Sequence, residues 1–371
     1  MSSIDELLPD DHKARLVWQY VEKLEISSLV AGVRSFAGGR GAPTTDPRIF
    51  LALWLFAVLD GVGSARELAR LCERDHAYQW ICGGVSVNHH TLSDFRNDAG
   101  PFLDDLLSKS VAALVMVKVV DLSCLAVDSL RVRANAGRAS FRRKKTLLEL
   151  EGLARARIEA LKAETADPTP TKRQRASRER AAHERAQRIE AALKAVEEIE
   201  AARAAEDKAA RRKTPKKRQE ARASTTDPEA RHMAMANGGG APAYSIQVKT
   251  DPHSATVVGL SVTNNGSDRG KLGAAVDEIH RRYRARPDKL LADSGYDGQA
   301  DIEAVEAKGT AVHVPLSKKE TDRKPKPKDG PGVRKWKERM NSDEGKSLYA
   351  KRIKTEHLHA QKISCRRRLS S

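Results

Sequence analysis

The segment VKVVDLSCLAVD, residues 117–128, is apolar and rich in β-branched residues, and it predicts a buried β-strand that ends on Asp128. A second apolar segment, KLLAD at residues 289–293, predicts a shorter buried strand that again ends on an aspartate, Asp293. Other elements follow at regular intervals. Strands are expected at residues 244–250, 256–262 and 310–316, and helices at 270–284, 301–308 and 335–362. Because helices alternate with strands, the sequence predicts the α/β class, with a mixed sheet covered by helices.

Three carboxylates stand out in this pattern. In open sheets, active sites gather beyond the carboxyl ends of the strands, where Asp128 and Asp293 are predicted, and Glu356 lies on the predicted last helix. Carboxylates that lie close together repel one another, so such a cluster requires cations, and ligands that are all oxygen favour Mg²⁺ or Mn²⁺. Two such ions stabilise both the attacking and the leaving oxygen of a phosphodiester displacement. A single aspartate at a strand end is more often a turn or cap residue, so the hypothesis depends on the joint placement.

The overall charge narrows the classes of partner. The chain of 371 residues has 67 Lys and Arg against 50 Asp and Glu, a net charge of +17, which favours nucleic acid or an anionic membrane surface. The apolar stretch from Ile49 to Leu59 is far shorter than the ~20 residues of a membrane-spanning helix. The four cysteines form no CxxC pair, which argues against a zinc finger and a disulfide-rich secreted scaffold. We therefore expect a cytoplasmic protein without a membrane partner.

The positive charge is concentrated between Arg138 and Arg222, where 25 Lys or Arg stand against 14 Asp or Glu. This stretch is rich in strong helix formers, and prolines at 168 and 170 interrupt it. It predicts an antiparallel helical hairpin over residues 145–166 and 172–212. Two interpretations remain open: a solvated charged insert, partly disordered, or a basic arm that lies along the DNA backbone.

The amino-terminal part, residues 1–116, predicts an all-α domain. Asp46 precedes a proline and predicts a helix start, and Ser64 with Glu67 forms a capping-box pattern. Thr91 has similar cap chemistry and predicts a further helix start. Short capped helices that carry arginines are compatible with a helix-turn-helix-like DNA reader and equally with an ordinary helical bundle.

Several motifs, in this order along nearly the whole chain, resemble the DDE transposases of bacterial insertion sequences. They are SAREL at residues 64–68, TLSDFR at 91–96, AVDSLRVRANA at 126–136, TDPEAR at 226–231, AYSIQ at 243–247, LADSGY at 291–296 and YAKRIKTE at 349–356. The sequence departs from the family at two positions. The family usually has asparagine in place of Ser245, and many members have lysine in place of Ile363.

The resemblance implies a fold and an activity. It implies an RNase H-like catalytic core over residues 117–137 and 225–371, a DNA-binding helical domain over 1–116, and a charged helical insertion over 138–224. The implied enzyme cleaves DNA strands at insertion-sequence ends and transfers them to a target, with two Mg²⁺ or Mn²⁺ ions. Water is the first nucleophile and a DNA 3′-hydroxyl the second. The implied partners are double-stranded DNA and, on the DNA, a second copy of the chain.

Site residues follow from the same motif correspondence. Asp128, Asp293 and Glu356 are implied as the catalytic residues that hold the metal ions. The residues implied to bind DNA phosphates are Tyr349, Arg352, Arg131 and Arg133.

The carboxyl terminus, SCRRRLSS at residues 364–371, predicts a truncated or frame-shifted chain, because related chains continue with further helix. Three functions therefore remain open. The first is an active DDE transposase, and the second is a remnant that binds DNA ends without Mg²⁺-dependent chemistry. The third is an RNase H-like nuclease that cuts DNA without joining it.

Overall fold

The computed structural model describes residues 3–31, 45–163, 171–209, 214, 218–316 and 324–353. It has the predicted α/β class, with a helical amino-terminal part followed by a mixed sheet and its covering helices. The helices are α1 (Ile4–Leu7), α2 (Lys13–Glu22), α3 (Ser27–Ala31), α4 (Pro47–Leu59), α5 (Ala65–Arg74), α6 (His76–Cys82), α7 (His89–Asp98), α8 (Gly100–Met116), α9 (Lys144–Ala163), α10 (Lys172–Ala209), α11 (Leu272–Tyr283), α12 (Gln299–Ala307), α13 (Pro331–Asn341) and α14 (Asp343–Ala350). The strands are β1 (Cys124–Arg133), β2 (Phe141–Arg143), β3 (Arg222–Ser224), β4 (Arg231–Ala234), β5 (Gly240–Thr250), β6 (Val257–Thr263), β7 (Lys289–Ala292) and β8 (Ala311–His313).

Two amino-terminal helices, α4 and α5, begin at the predicted cap residues Asp46 and Ser64. The Asp46 carboxylate accepts a hydrogen bond from the amide of Arg48 at 2.8 Å, and the Ser64 hydroxyl accepts one from the amide of Glu67 at 3.4 Å. The helices pack around one apolar core, which includes Phe50, Leu53, Leu68, Tyr78, Ile81 and Leu92. In the described part of the chain, no helix is both long and apolar enough to cross a membrane.

The helix predicted to start at Thr91 starts earlier. The side chain of Asn88 accepts a hydrogen bond from the amide of His90 at 2.8 Å, so α7 begins at His89 and Thr91 lies inside its first turn. Asparagine is as strong a helix cap as aspartate or serine, and this cap precedes the threonine in the chain.

The sheet has β1 near its centre, in the order β4-β5-β1-β7-β8, with β6 beside β5. β1 runs antiparallel to β5 and parallel to β7, and β7 runs parallel to β8. β5 is long enough for β4 to pair with its first part and β6 with its last part. Apolar residues of the sheet pack against α11, α12 and α13 in a second core, which includes Leu125, Val127, Val258, Val276, Leu290, Ile302 and Trp336.

The strand predicted at residues 117–128 is displaced along the chain. β1 starts after a turn in which the Asp121 carboxylate accepts hydrogen bonds from the amide and the hydroxyl of Ser123, at 2.8 and 2.7 Å. The strand then continues five residues past Asp128, which therefore lies inside β1 and not at its end. The pairing of β1 with β7 stops at Ala292, so Asp128 lies where the neighbouring strand ends.

The single helix predicted over residues 335–362 is, as far as the structure describes it, two helices. α13 ends before Ser342, whose hydroxyl caps α14 by accepting a hydrogen bond from the amide of Gly345 at 3.1 Å. A Cβ atom at Gly345 would lie 2.0 Å from the carbonyl oxygen of Arg339, so only glycine allows this close approach. Glu356 lies outside the described residues.

The charged insertion contains the two predicted helices, α9 and α10. They pack antiparallel, with Lys144 at the start of α9 bound to Glu197 in the second half of α10 at 3.1 Å. A small apolar core lies between them and includes Leu147, Ala192, Ala195 and Val196. The paired strands β2 and β3 close the base of this hairpin, a feature that the helical periodicity of the sequence did not indicate.

Candidate active site

The two predicted strand-end aspartates lie side by side. In the parallel pairing of β1 with β7, Val127 is opposite Ala292, so the next residues of the two chains are Asp128 and Asp293. Neighbouring strands are about 4.8 Å apart, which brings the two backbone positions close together. Asp128 is 17% exposed at its side chain, and Asp293 is half-buried. The tertiary fold therefore creates a small, partly shielded acidic edge.

A buried arginine lies against this edge. Nη2 of Arg352, which is 5% exposed, lies 3.1 Å from Oδ2 of Asp128, and Nη1 donates to the hydroxyl of Tyr349 at 3.4 Å. Tyr349 belongs to α14, and Arg352 follows its end, so the bend at Ser342 aims this part of the chain at β1. Two of the four residues predicted to bind phosphate are thus at the site.

The other two predicted phosphate-binding residues have different surroundings. Arg131 and Arg133 lie an odd number of positions from Asp128 on β1, so they face the opposite side of the sheet. The Arg131 guanidinium donates to the carbonyl oxygen of Ala234 and, at 3.0 Å, to that of Gly266. Arg133 is exposed at the end of the strand. The structure thus separates these two arginines from the acidic edge.

Burial and neighbouring charges act together on Asp293. Burial raises the pKa of the Asp293 carboxyl, and the nearby carboxylates of Asp128 and Asp268 raise it further. The Gly295 amide, which donates to Oδ1 of Asp293 at 2.8 Å, and the positive charge of Arg352 act in the opposite direction. The net shift is upward, so ionisation of the Asp293 carboxyl costs more in the folded protein than in water.

Three further residues belong to this region, although none of them is among the predicted site residues: Asp268, Gln247 and Tyr296. Oδ1 of Asp268 accepts a hydrogen bond from Nε2 of Gln247 at 3.0 Å, and Oε1 of Gln247 accepts one from the hydroxyl of Tyr296. Gln247 and Tyr296 are buried. Asp268 lies in the loop that follows β6, so the rule that selected Asp293, an acidic residue just past a strand, could have found it.

The donor set fits a divalent cation of the Mg²⁺ class in part. Asp128 and Asp293 offer only oxygen ligands, and a cation between them would offset the repulsion that raises the pKa of Asp293. Within the residues that the structure describes, no group of three or more His, Cys, Asp or Glu side chains is arranged to hold a metal ion. Within the described residues, this edge therefore offers two carboxylates but no complete metal-ligand group.

Two family models match the sequence. A transposase domain (DUF772) matches residues 2–98, and a transposase DDE domain matches residues 209–370, so that together they span well over half of the chain. The chain belongs to the DDE transposases. The DDE family generally uses divalent metal ions and acts on DNA. Comparison with curated proteins and comparison with solved structures each found no match.

The two matches cover different parts of the fold. The DUF772 match ends with α7, and the DDE match includes Asp293 and the position of Glu356. Asp128 lies between the two matched regions, so its connection with the DDE residues comes from the pairing of β1 with β7.

Proposed function

We propose that this chain is a metal-dependent transposase that cleaves DNA strands at the ends of an insertion sequence and transfers them to a target. The observation that carries the proposal is the adjacency of Asp128 and Asp293 at the edge of two parallel strands, in a chain of the DDE family. In this proposal the core is RNase H-like, and Asp128, Asp293 and Glu356 hold two Mg²⁺ or Mn²⁺ ions. Water is the nucleophile for cleavage, and the DNA 3′-hydroxyl is the nucleophile for joining.

Each side chain of the described site has a task in this reaction. Asp293 is oriented by the Gly295 amide, and Asp128 is oriented by Arg352. Arg352 offers a planar fork of donors that suits a phosphate group, and the Tyr349 hydroxyl helps to orient that fork. When bound, the two cations stabilise the charge that develops on the attacking and leaving oxygens.

The charged insertion supplies a second contact with DNA in this proposal. α9 and α10 extend over residues 144–163 and 172–209, and most of their basic side chains are exposed on the outside of the hairpin. Exposed lysines and arginines that neutralise phosphates release counterions and thereby strengthen binding to any DNA sequence. Two copies of the chain, one on each DNA end, complete the complex.

The test is a cleavage and joining assay on labelled duplexes that carry the two ends of the encoding element, with and without Mg²⁺. The parent chain is compared with Asp128→Asn and Asp293→Asn, and with Asp277→Asn as a matched control. Asp277 is a surface acid on α11 that pairs with Lys308 at 2.7 Å. We expect Mg²⁺-dependent products from the parent and the control, and a loss of orders of magnitude in both site variants, because metal-assisted charge stabilisation carries much of phosphoryl transfer.

The assay separates the alternatives. End binding without any Mg²⁺-dependent product identifies a DNA-binding remnant, and cleavage without joined product identifies a nuclease. Cleavage by Asp293→Asn at the rate of the parent refutes the site assignment. End binding should persist in both site variants, because removal of a negative charge lessens the repulsion of phosphate.

A further inference from the structure

We propose that Asp268 is a positioning residue for Asp293, a role that rests on the proposed metal-dependent function. Through Gln247 and Tyr296, Asp268 fixes the turn that orients Asp293, and its own charge increases the attraction of this edge for a divalent cation. Asp268 does not belong to the D-D-E motif. It lies in the loop after β6, whereas Asp128 lies within β1 and Asp293 follows β7.

The first step of the argument is the turn itself. Asp293 caps a 3₁₀ turn at Ser294–Tyr296, and its Oδ1 accepts a hydrogen bond from the Gly295 amide at 2.8 Å. The same turn ends on Tyr296, whose ring is completely buried in the sheet core. The orientation of the Asp293 carboxylate therefore depends on where Tyr296 is anchored.

The second step is the anchor of Tyr296. Its hydroxyl donates to Oε1 of Gln247, a residue of β5 that is 4% exposed. The amide group of Gln247 is held in turn by two acceptors, Oγ of Ser245 at 3.1 Å and Oδ1 of Asp268 at 3.0 Å. A flip of the Gln247 side chain would exchange the positions of its amide oxygen and nitrogen. The Asp268 carboxylate accepts a hydrogen bond only from the nitrogen, so it keeps the oxygen directed at Tyr296.

The third step is proximity. A Cβ atom at Gly295 would lie 3.0 Å from Oδ1 of Asp293 and 3.5 Å from Oδ2 of Asp268, so the two carboxylates flank one small residue. Asp268 has one oxygen committed to Gln247, and within the described residues it does not complete a metal-ligand group. It is therefore placed to act on Asp293 through position and charge.

The experiment measures Mn²⁺ binding to the full chain without DNA, by the electron paramagnetic resonance signal of the free ion. Asp268→Asn keeps the shape and the acceptor for Gln247 but removes the charge. We expect Mn²⁺ affinity to fall about tenfold, the effect of one partly buried unit charge nearby. The matched control is Asp297→Asn. Asp297 lies just after the Ser294–Tyr296 turn and pairs with Arg269 at 2.7 Å, and the Mn²⁺ affinity of this variant should equal that of the parent.

A second substitution separates position from charge. Asp268→Ala removes the acceptor as well, leaving one donor of the buried Gln247 amide unsatisfied, so it should lower both the melting temperature and the Mn²⁺ affinity. Asp268→Asn should restore the melting temperature to within about 1 °C of the parent but leave the affinity low. A purely structural role predicts that both quantities are rescued together.

Two outcomes overturn the proposal. In the first, the Mn²⁺ affinity of Asp268→Asn is within twofold of that of the parent. In the second, the parent shows no Mn²⁺ binding that depends on Asp293. The proposed function can fail separately: a parent whose Mn²⁺ binding depends on Asp268 and Asp293, but which produces no cleaved or joined DNA, supports this inference and refutes the reaction. A parent that cleaves DNA while Asp268→Asn binds Mn²⁺ normally supports the reaction and refutes this inference.

Discussion

Replacing Glu278 by glutamine should destabilise the sheet core, because this carboxylate joins two buried cations. Glu278 accepts hydrogen bonds from Nζ of Lys249 and, at 2.9 Å, from Nε of Arg282, and none of the three side chains is more than 7% exposed. After the substitution Arg282 keeps Asp104 at 2.5 Å, but the other contacts of Lys249 are with neutral groups such as the Ser261 hydroxyl. Loss of one partner from a buried pair costs about 3–5 kcal/mol, and we expect a loss in that range.

The loss should depend on pH. Burial lowers the pKa of Lys249, and Glu278 opposes that shift, so removal of Glu278 should lower the pKa further. A lysine with a lowered pKa in the folded state binds fewer protons there than in the unfolded chain, so the stability of the variant should rise with pH. The rise should run from the lowered pKa up to about 10.4, the ordinary pKa of lysine.

The measurement is urea unfolding followed by far-ultraviolet circular dichroism at pH 7 and pH 9.5. The double variant Lys249→Met with Glu278→Gln removes both charges and should lose less stability than Glu278→Gln alone. Asp277→Asn breaks an exposed pair with Lys308 and should change the free energy of unfolding by no more than about 1 kcal/mol. A loss below about 1 kcal/mol in Glu278→Gln, or the same loss at both pH values, would refute the electrostatic reasoning.

Three further changes test separate parts of the chain. Gly345→Ala should disrupt the α13–α14 junction and lower the melting temperature. Gly152→Ala, with open space around its position on α9, should stabilise the protein by about 0.5–1 kcal/mol. Calorimetry of the two variants measures both effects. Asp293→Asn should make the metal-free protein more stable than the parent, and the difference should grow as pH rises from 3.8 through the raised pKa of Asp293. Ionisation of Asp293 destabilises the parent over this range, and the variant has no carboxyl there to ionise. Thermal unfolding of both proteins from pH 3.5 to 7 measures the difference. Deletion of residues 138–224 should flatten the dependence of DNA affinity on salt, by about 0.9 in log–log slope per lost phosphate contact; an unchanged slope assigns the insertion a solvating role.

Much of the core could be predicted because its signals are local. β7 was expected at residues 289–293 and is found at Lys289–Ala292, and α11 was expected at 270–284 and is found at Leu272–Tyr283. Apolar periodicity decides such elements, and the turn at Asp251 between β5 and β6 follows from its side chain, which accepts the His253 amide at 2.8 Å.

β5 shows where a local pattern misleads. Ser245, Gln247 and Lys249 alternate with apolar residues, a pattern that ordinarily indicates a strand with one exposed polar face. In the fold all three are buried, because α11 and the Asp293 turn cover that face and supply partners such as Glu278. For this reason, the groups that position Asp293 could not be recognised from alternation alone.

The sequence by itself determined the class of the fold, the charged helical hairpin, the start of several helices and the two aspartates, because each depends on neighbours a few residues apart. Only the tertiary structure decided that Asp128 lies within β1, that it is adjacent to Asp293 and that Arg352 reaches it. These relations are set by strand pairing and by the Gly345 bend, where residues distant in the chain meet. Packing and ion pairing between such distant residues do not produce a periodic pattern in the sequence, so they could not be predicted from it.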